Sequence, residues 1–300
     1  MTVREILERI PISFSFEFFP PKTESGWDTL FHNIADLMPL KPSWVSVTYG
    51  AGGATRDYTH DLVMRIKKET NLTVVAHLTC VGSSREEIAA IVDRYVKNGV
   101  LNILALGGDP PKNRPDWQPA SDDFKYAHEL VAFIKNRHPQ VSIGVAGFPE
   151  GHPDTPNRLQ EMEYLKAKVD AGADYIITQL FFDNRDYYDF CERCTIVGIN
   201  VPIIAGIMPV LSKKGMYRMV DLAAGVRLPA RLLKLISRAD SDEYVARAGV
   251  HWASEQVRDL IDNDVRGIHF YTLNRSRATI QIYERSEEHT SELQSPLCIS

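Results

Sequence analysis

Eight short β-rich runs alternate with longer amphipathic runs along this chain, and that alternation constrains its fold most tightly. Strands are predicted over 13–19, 44–49, 73–80, 102–107, 142–148, 175–182, 202–207 and 267–273. Helices are predicted over 57–69, 85–97, 159–170, 230–237 and 241–261. Ser83 or Ser84 suits the N-cap of the second of these, and Gly99 its stop. Eight strands each followed by a helix is the pattern of an α/β chain closed as a (β/α)8 TIM barrel. A doubly wound open sheet is the competing arrangement. Against it, no G-x-G-x-x-G follows the first strand and no G-x-x-x-x-G-K-[ST] occurs anywhere.

With 300 residues, 44% of them hydrophobic, the chain can bury one such barrel undivided. Residues 1–284 are expected to form that single domain. From about residue 285 the amphipathic pattern of Ile280, Ile282 and Tyr283 breaks off. The run Arg285-Ser286-Glu287-Glu288-His289-Thr290-Ser291-Glu292-Leu293-Gln294-Ser295 resembles the translation of a sequencing-library adapter. Residues 285–300 are therefore read as a non-native tail.

The net charge of −5 is spread over mixed signs with no basic block, so nothing favours nucleic acid or an anionic membrane surface. No apolar stretch is long enough to span a bilayer. The start, Met1-Thr2-Val3-Arg4-Glu5-Ile6-Leu7, reads as a helix with acidic residues rather than a signal peptide. Four cysteines make no disulfide framework, and the C-x-x-C of Cys191 and Cys194 sits on an apparent helix without a second pair. Together these favour a cytoplasmic protein.

Within the first strand, Ser15-Phe16-Glu17-Phe18-Phe19-Pro20-Pro21 places one carboxylate among aromatic residues, just before two prolines stop the run. Alternation puts Phe14, Phe16 and Phe18 on one face and Ser13, Ser15 and Glu17 on the other. A buried carboxylate is costly unless paired, hydrogen-bonded or protonated, so Glu17 is a candidate proton donor. Barrels of this kind carry their chemistry at the C-terminal strand ends. Read that way, the rim offers Glu17, Thr48 on the face of Ser46, His77, Thr79, Asp109, Glu150, His152, Gln179, Asp183, Asn274 and Arg275. No H-E-x-x-H, metal-spaced cluster or G-x-S-x-G is present, so no metal is expected. Gly50, Gly52, Gly53, Gly107 and Gly108 would let backbone approach a phosphate-bearing cofactor. The residues thus point to a barrel enzyme that handles a polar ligand with a cofactor.

Seven segments carry a resemblance. They are the Ser15–Pro21 run, Val47-Thr48-Tyr49-Gly50-Ala51, His77-Leu78-Thr79-Cys80, Ala105-Leu106-Gly107-Gly108-Asp109, Asp170-Ala171-Gly172-Ala173, Ile177-Thr178-Gln179-Leu180-Phe181-Phe182-Asp183 and His269-Phe270-Tyr271-Thr272-Leu273-Asn274-Arg275. In this order, over about residues 13–284, the chain resembles the methylenetetrahydrofolate reductases. The resemblance implies a flavin- and folate-binding barrel with FAD. It would reduce methylenetetrahydrofolate to methyltetrahydrofolate in one-carbon metabolism and methionine biosynthesis. NADH is the first choice of reductant, with NADPH or a protein electron donor as alternatives.

The resemblance also implies roles. Glu17 matches the family's general acid, and its aromatic, dehydrated setting would raise its pKa. Asp109 matches the acid near the flavin and the folate. Gln179 and Arg275 match folate contacts. Thr48, Tyr49, Ala51, His77, Gly108, Tyr126, Ala127, Phe148, His152 and Lys168 match flavin contacts, to which Asp109 also belongs. The partners implied are small-molecule folate and nicotinamide, used in turn at one site, and other copies of the chain in a homo-oligomer. The chain departs from the family at Gly107, where Arg is frequent, at Glu161 for Asp, and at Tyr164 for a polar residue. Gly215 and Met219 fall where some members carry Gln and Phe in a clamping loop.

Overall fold

Alternation along the first strand sorts two cores. In the computed structural model, which describes residues 1–49, 56–108, 120, 122–223 and 225–293, β1 spans Ser13–Phe18. Phe16 and Phe18 pack outward among the helices, while Ser15 and Glu17 turn into the barrel. The other strands are β2 (Trp44–Val47), β3 (Val74–Thr79), β4 (Asn102–Leu106), β5 (Ser142–Gly147), β6 (Tyr175–Thr178), β7 (Ile203–Ile207) and β8 (Gly267–Tyr271). All pair in parallel in chain order, and β8 pairs back onto β1 through Ser15↔His269 and Glu17↔Tyr271. That closure gives the (β/α)8 barrel and removes the open-sheet alternative.

The helices are α1 (Val3–Arg9), α2 (Glu24–Leu37), α3 (Arg56–Glu69), α4 (Arg85–Lys97), α5 (Ala127–Arg137), α6 (Arg158–Asp170), α7 (Asn184–Ile196), α8 (Lys213–Leu222), α9 (Ala230–Ser237), α10 (Asp242–Asp262) and α11 (Arg277–Leu293). Their ends follow local chemistry. Ser84, not Ser83, caps α4 in a reciprocal box with Glu87, and Thr2 and Glu5 do the same for α1. Gly99 then leaves α4 at φ +72°, a left-handed turn that other residues rarely adopt.

The outer core lies between the strands and the helix ring. An inner core fills the barrel floor with Trp44, Val75, Leu104, Tyr175, Ile177 and Ile204, and α1 plugs it with Val3, Ile6 and Leu7. The Val3 N–H donates to Asn102 Oδ1 at 2.7 Å, which ties the plug to β4. Glycines make room for the large inward rings. A Cβ on Gly144 would meet the Tyr175 ring, and one on Gly206 would meet the Tyr271 ring. A third apolar cluster, with Leu180, Phe182, Val210, Met216, Met219 and Leu232, lies under α8 and α9.

All strands but β7 end earlier than predicted, most of all β6, expected to reach 182 and ending at Thr178. Leu180 and Phe182 leave the barrel for the third cluster, and α10 holds that backbone through Gln256 and Trp252. An apolar run on the way out of a barrel has no alternation to mark its end. Among the described residues no helix is long and apolar enough to cross a membrane.

Candidate active site

At the C-terminal end of the barrel the inner wall changes from apolar to polar. Glu17 on β1, Ser46 on β2, His77 on β3, and His269 and Tyr271 on β8 meet there. Pairing Glu17↔Ser46 on one side and Glu17↔Tyr271 on the other brings three of them side by side. His269 Nε2 lies 3.5 Å and His77 Nε2 3.4 Å from Glu17 Oε2. Ser46 also hydrogen-bonds the carboxyl, and its Oγ is 3.4 Å from His269 Nε2. The Glu17 side chain keeps 16% of its surface, whereas His269 keeps none. The acid therefore faces the rim from an otherwise buried cluster.

Burial pushes the Glu17 carboxyl up, but the His269 hydrogen bond and the two imidazoles outweigh it, and the group ends below its usual range. This reverses the raised value expected from sequence. The phenylalanines that suggested a dehydrated aromatic setting lie on the outer face, so polar side chains surround the carboxyl instead. Burial also lowers His77, to about 4, against the pull of Glu17. His77 is thus neutral in the neutral pH range and exerts no full charge on Glu17 there. The donors that hold the carboxylate are His269 and Ser46.

The turn after β8 is tied to the end of β1. Leu273 and Asn274 adopt φ of +51° and +57°, an unfavourable region for side-chain-bearing residues. Asn274 compensates by bonding both backbone groups of Phe19, at 2.9 and 2.8 Å, and Thr272 donates to the Glu17 carbonyl at 2.6 Å. This clasp presents Arg275 as an exposed cation beside the acid's strand.

The expected flavin-contacting residues that fall among the described ones lie at or after strands β2 to β5. Thr48 and Tyr49 follow β2, with the Thr48 carbonyl held by Thr59 at 3.0 Å. Gly108 follows β4 at φ +85°, and Gly107 beside it has open space where a Cβ would stand. Tyr126, 59% exposed, stacks on His128 and leads into Ala127, the first residue of α5. Phe148 and His152 meet edge-on after β5, and Glu161 accepts from the His152 N–H at 3.0 Å. Lys168 reaches from α6 to the Ala146 carbonyl at 2.7 Å, and burial lowers it to about 8. Gln179 sits just past β6, where its Oε1 accepts from Leu180 N.

Ala51 and Asp109 lie outside the described residues, as do Gly50, Gly52 and Gly53. Two other expectations change. Gly215 and Met219 belong to helix α8 rather than to a loop, and Met219 is buried in the third apolar cluster. Glu150 turns from the rim to a buried position where Arg227 Nε meets it at 3.1 Å. The reading of sequence did not single out His269 or Tyr271 as site residues, although both sit in a quoted motif. Their period-two spacing at the end of the last predicted strand was the available signal. Among the described residues no cluster of three or more His, Cys, Asp or Glu side chains could hold a metal ion.

Comparison with known proteins adds to this geometry. The family model for methylenetetrahydrofolate reductase matches residues 2–287. The chain is 39% identical over 274 residues to the 5,10-methylenetetrahydrofolate reductase of Salmonella typhimurium, covering 90% of this chain and 89% of that one. It is 37% identical to methylenetetrahydrofolate reductase (NADH) 1 of Arabidopsis thaliana, covering 93% of this chain and 49% of the relative. The chain thus spans about half the length of the plant relative and most of the bacterial one. Among solved structures, an uncharacterized Clostridium thermocellum protein, described as binding two copies of 5-methyl-5,6,7,8-tetrahydrofolic acid, superposes with a TM-score of 0.68. The two share 17% identity, and the alignment covers 96% of this chain and 98% of that one, which is a likeness of fold.

Proposed function

Because this chain belongs to the methylenetetrahydrofolate reductase family, we propose that it reduces 5,10-methylenetetrahydrofolate to 5-methyltetrahydrofolate, with FAD as cofactor and NADH as reductant. The observation that carries the reading is Glu17, a carboxyl held on the inner rim between two imidazoles with 16% of its side-chain surface still exposed. NADH is favoured over NADPH because a plant relative carries NADH in its name.

Bound flavin would carry hydride between nicotinamide and folate. The residues fit such a group. Gly108 offers bare backbone, Tyr126 an exposed ring, and Lys168 a cation that is still mostly protonated at pH 7. Thr48, Tyr49, His77, Ala127, Phe148 and His152 would join them, and Ala51 and Asp109, which lie outside the described residues, are proposed as further contacts. On the folate side Gln179 and Arg275 orient the substrate, and Glu17 donates the proton that opens its ring. Asp109 would disfavour added negative charge on a bound flavin. Since Glu17 rests ionised, it takes up a proton from solvent as the arriving substrate strips away its remaining water and favours the neutral acid.

Residues 1–284 are the proposed catalytic unit, with 285–300 a non-native tail. The protein is placed in the cytoplasm, in keeping with free thiols at Cys80, Cys191 and Cys194, and as a homo-oligomer. The test is optical. Purified protein is expected to be yellow, to bleach with NADH, and to recover its colour with methylenetetrahydrofolate. Protein that stays colourless after incubation with FAD, or bleached protein that methylenetetrahydrofolate leaves bleached, would refute the reading.

A further inference from the structure

Three polar side chains reach the fully buried ring of His269. Ser15 Oγ lies 2.7 Å from Nδ1, while Glu17 Oε2 at 3.5 Å and Ser46 Oγ at 3.4 Å share Nε2. An ionised carboxylate only accepts hydrogen bonds, so the Nε2 that faces it carries the proton. A neutral imidazole has one N–H, so Nδ1 accepts, and its donor is the Ser15 hydroxyl. The hydroxyl's other acceptor, the Ile268 carbonyl, is 3.4 Å away. Strand register makes the chain of contacts, since Ser15↔His269 and Glu17↔Tyr271 are neighbouring pairs on one wall.

We propose that His269, fixed by Ser15 as its Nε2–H tautomer, is a positioning residue that holds the Glu17 carboxylate in place for proton transfer. This inference rests on the reading of Glu17 as the proton donor. The contact at 3.5 Å is long, as such contacts often are before a ligand tightens them. His269 has no exposed surface, so it acts through Glu17 and never touches substrate. Among the described residues the titratable groups that face Glu17 are His269 and Tyr271 from β8 and His77 from β3. Without the Ser15 hydroxyl, nothing reserves Nδ1 as acceptor. The tautomer with Nδ1–H then becomes populated, and its bare Nε2 favours a protonated Glu17.

The test begins on protein without ligands. Nitrogen-15 NMR of histidine-labelled protein, assigned with His269→Gln, is expected to show His269 as Nε2–H with Nδ1 accepting. Ser15→Ala is expected to mix the tautomers, and Ser15→Cys, a weaker donor, to fall between. Infrared spectra, assigned with Glu17→Gln, are expected to show the Glu17 carboxyl protonating at higher pH in Ser15→Ala. The shift is roughly one pH unit, the size of one hydrogen bond to a charged group. The pH limb of flavin reoxidation by methylenetetrahydrofolate should move the same way. Wild-type protein with His269 as Nδ1–H, or a Glu17 titration unmoved in both Ser15 variants, overturns the proposal even if the enzyme turns over. The expected spectra in a protein that methylenetetrahydrofolate cannot reoxidise would support the positioning role and overturn the proposed function instead.

Discussion

Acidification should cost this protein stability through one identifiable side chain, His77. Burial inside the barrel lowers its pKa from 6.5 to about 4, and Glu17 only partly opposes that. Below pH 6.5 the unfolded chain therefore binds a proton that the folded chain refuses. The stabilising contribution is complete above 6.5 and is lost progressively as pH falls toward 4. The gap of about 2.5 pH units (6.5 − 4), at about 1.36 kcal/mol per unit, amounts to about 3 kcal/mol. Glu17, lowered from 4.5, adds a loss of the same sign only below that value, so the window above 4.5 belongs to His77. Comparison with His77→Gln isolates this residue, because the amide does not titrate and every other group is common to both proteins. Urea unfolding of both proteins at several pH values between about 7.5 and 4.5 measures the difference. The wild-type curve is expected to fall more steeply, by about 2–3 kcal/mol across the window. Parallel curves would refute the reasoning and mean that His77 folds as an imidazolium paired with Glu17.

Three further outcomes follow from the same geometry. Glu17→Gln should slow flavin reoxidation by methylenetetrahydrofolate about 10²–10⁴-fold, the usual contribution of a general acid, and slow flavin reduction by NADH far less; equal losses in stopped-flow traces would remove Glu17 from the acid role. Gly206→Ala sets a methyl against the Thr178 carbonyl and the Tyr271 ring, whose hydroxyl donates to Thr178 O at 2.7 Å. It should cost about 1–3 kcal/mol in urea unfolding, and an unchanged midpoint would show that the wall yields. Tyr175→Phe removes a hydroxyl buried without a partner among the described residues, so it should leave stability unchanged or raise it by about 1 kcal/mol. A loss above that size in thermal unfolding would reveal a bond to that hydroxyl.

Much of the fold was readable in the order of residues. Period-two alternation at Phe14, Ser15, Phe16, Glu17 and Phe18 assigned both faces of β1 correctly. The eight runs lay where the strands are, because β-branched and aromatic residues cluster there and glycines and capping residues punctuate the gaps. Strand ends were less readable. The run 179–182 stays apolar because it enters another cluster under α8 and α9, and local pattern cannot distinguish one core from another. Met219 and Glu150 show the same limit. A side chain near the rim in sequence can face a helix interface once the loop folds over.

Sequence by itself determined the eightfold alternation, the inward direction of Glu17, and the motifs that mark the family, since each is written in spacing along a few residues. Tertiary structure alone decided the company that Glu17 keeps. His269 lies 252 residues away and His77 sixty, and only closure of β8 onto β1 brings Ser15, His269 and Glu17 together. That closure also decided the sign of the acid's shift. A buried carboxyl rises among phenylalanines and falls beside an N–H and a hydroxyl, and which neighbours it meets is a property of the closed barrel.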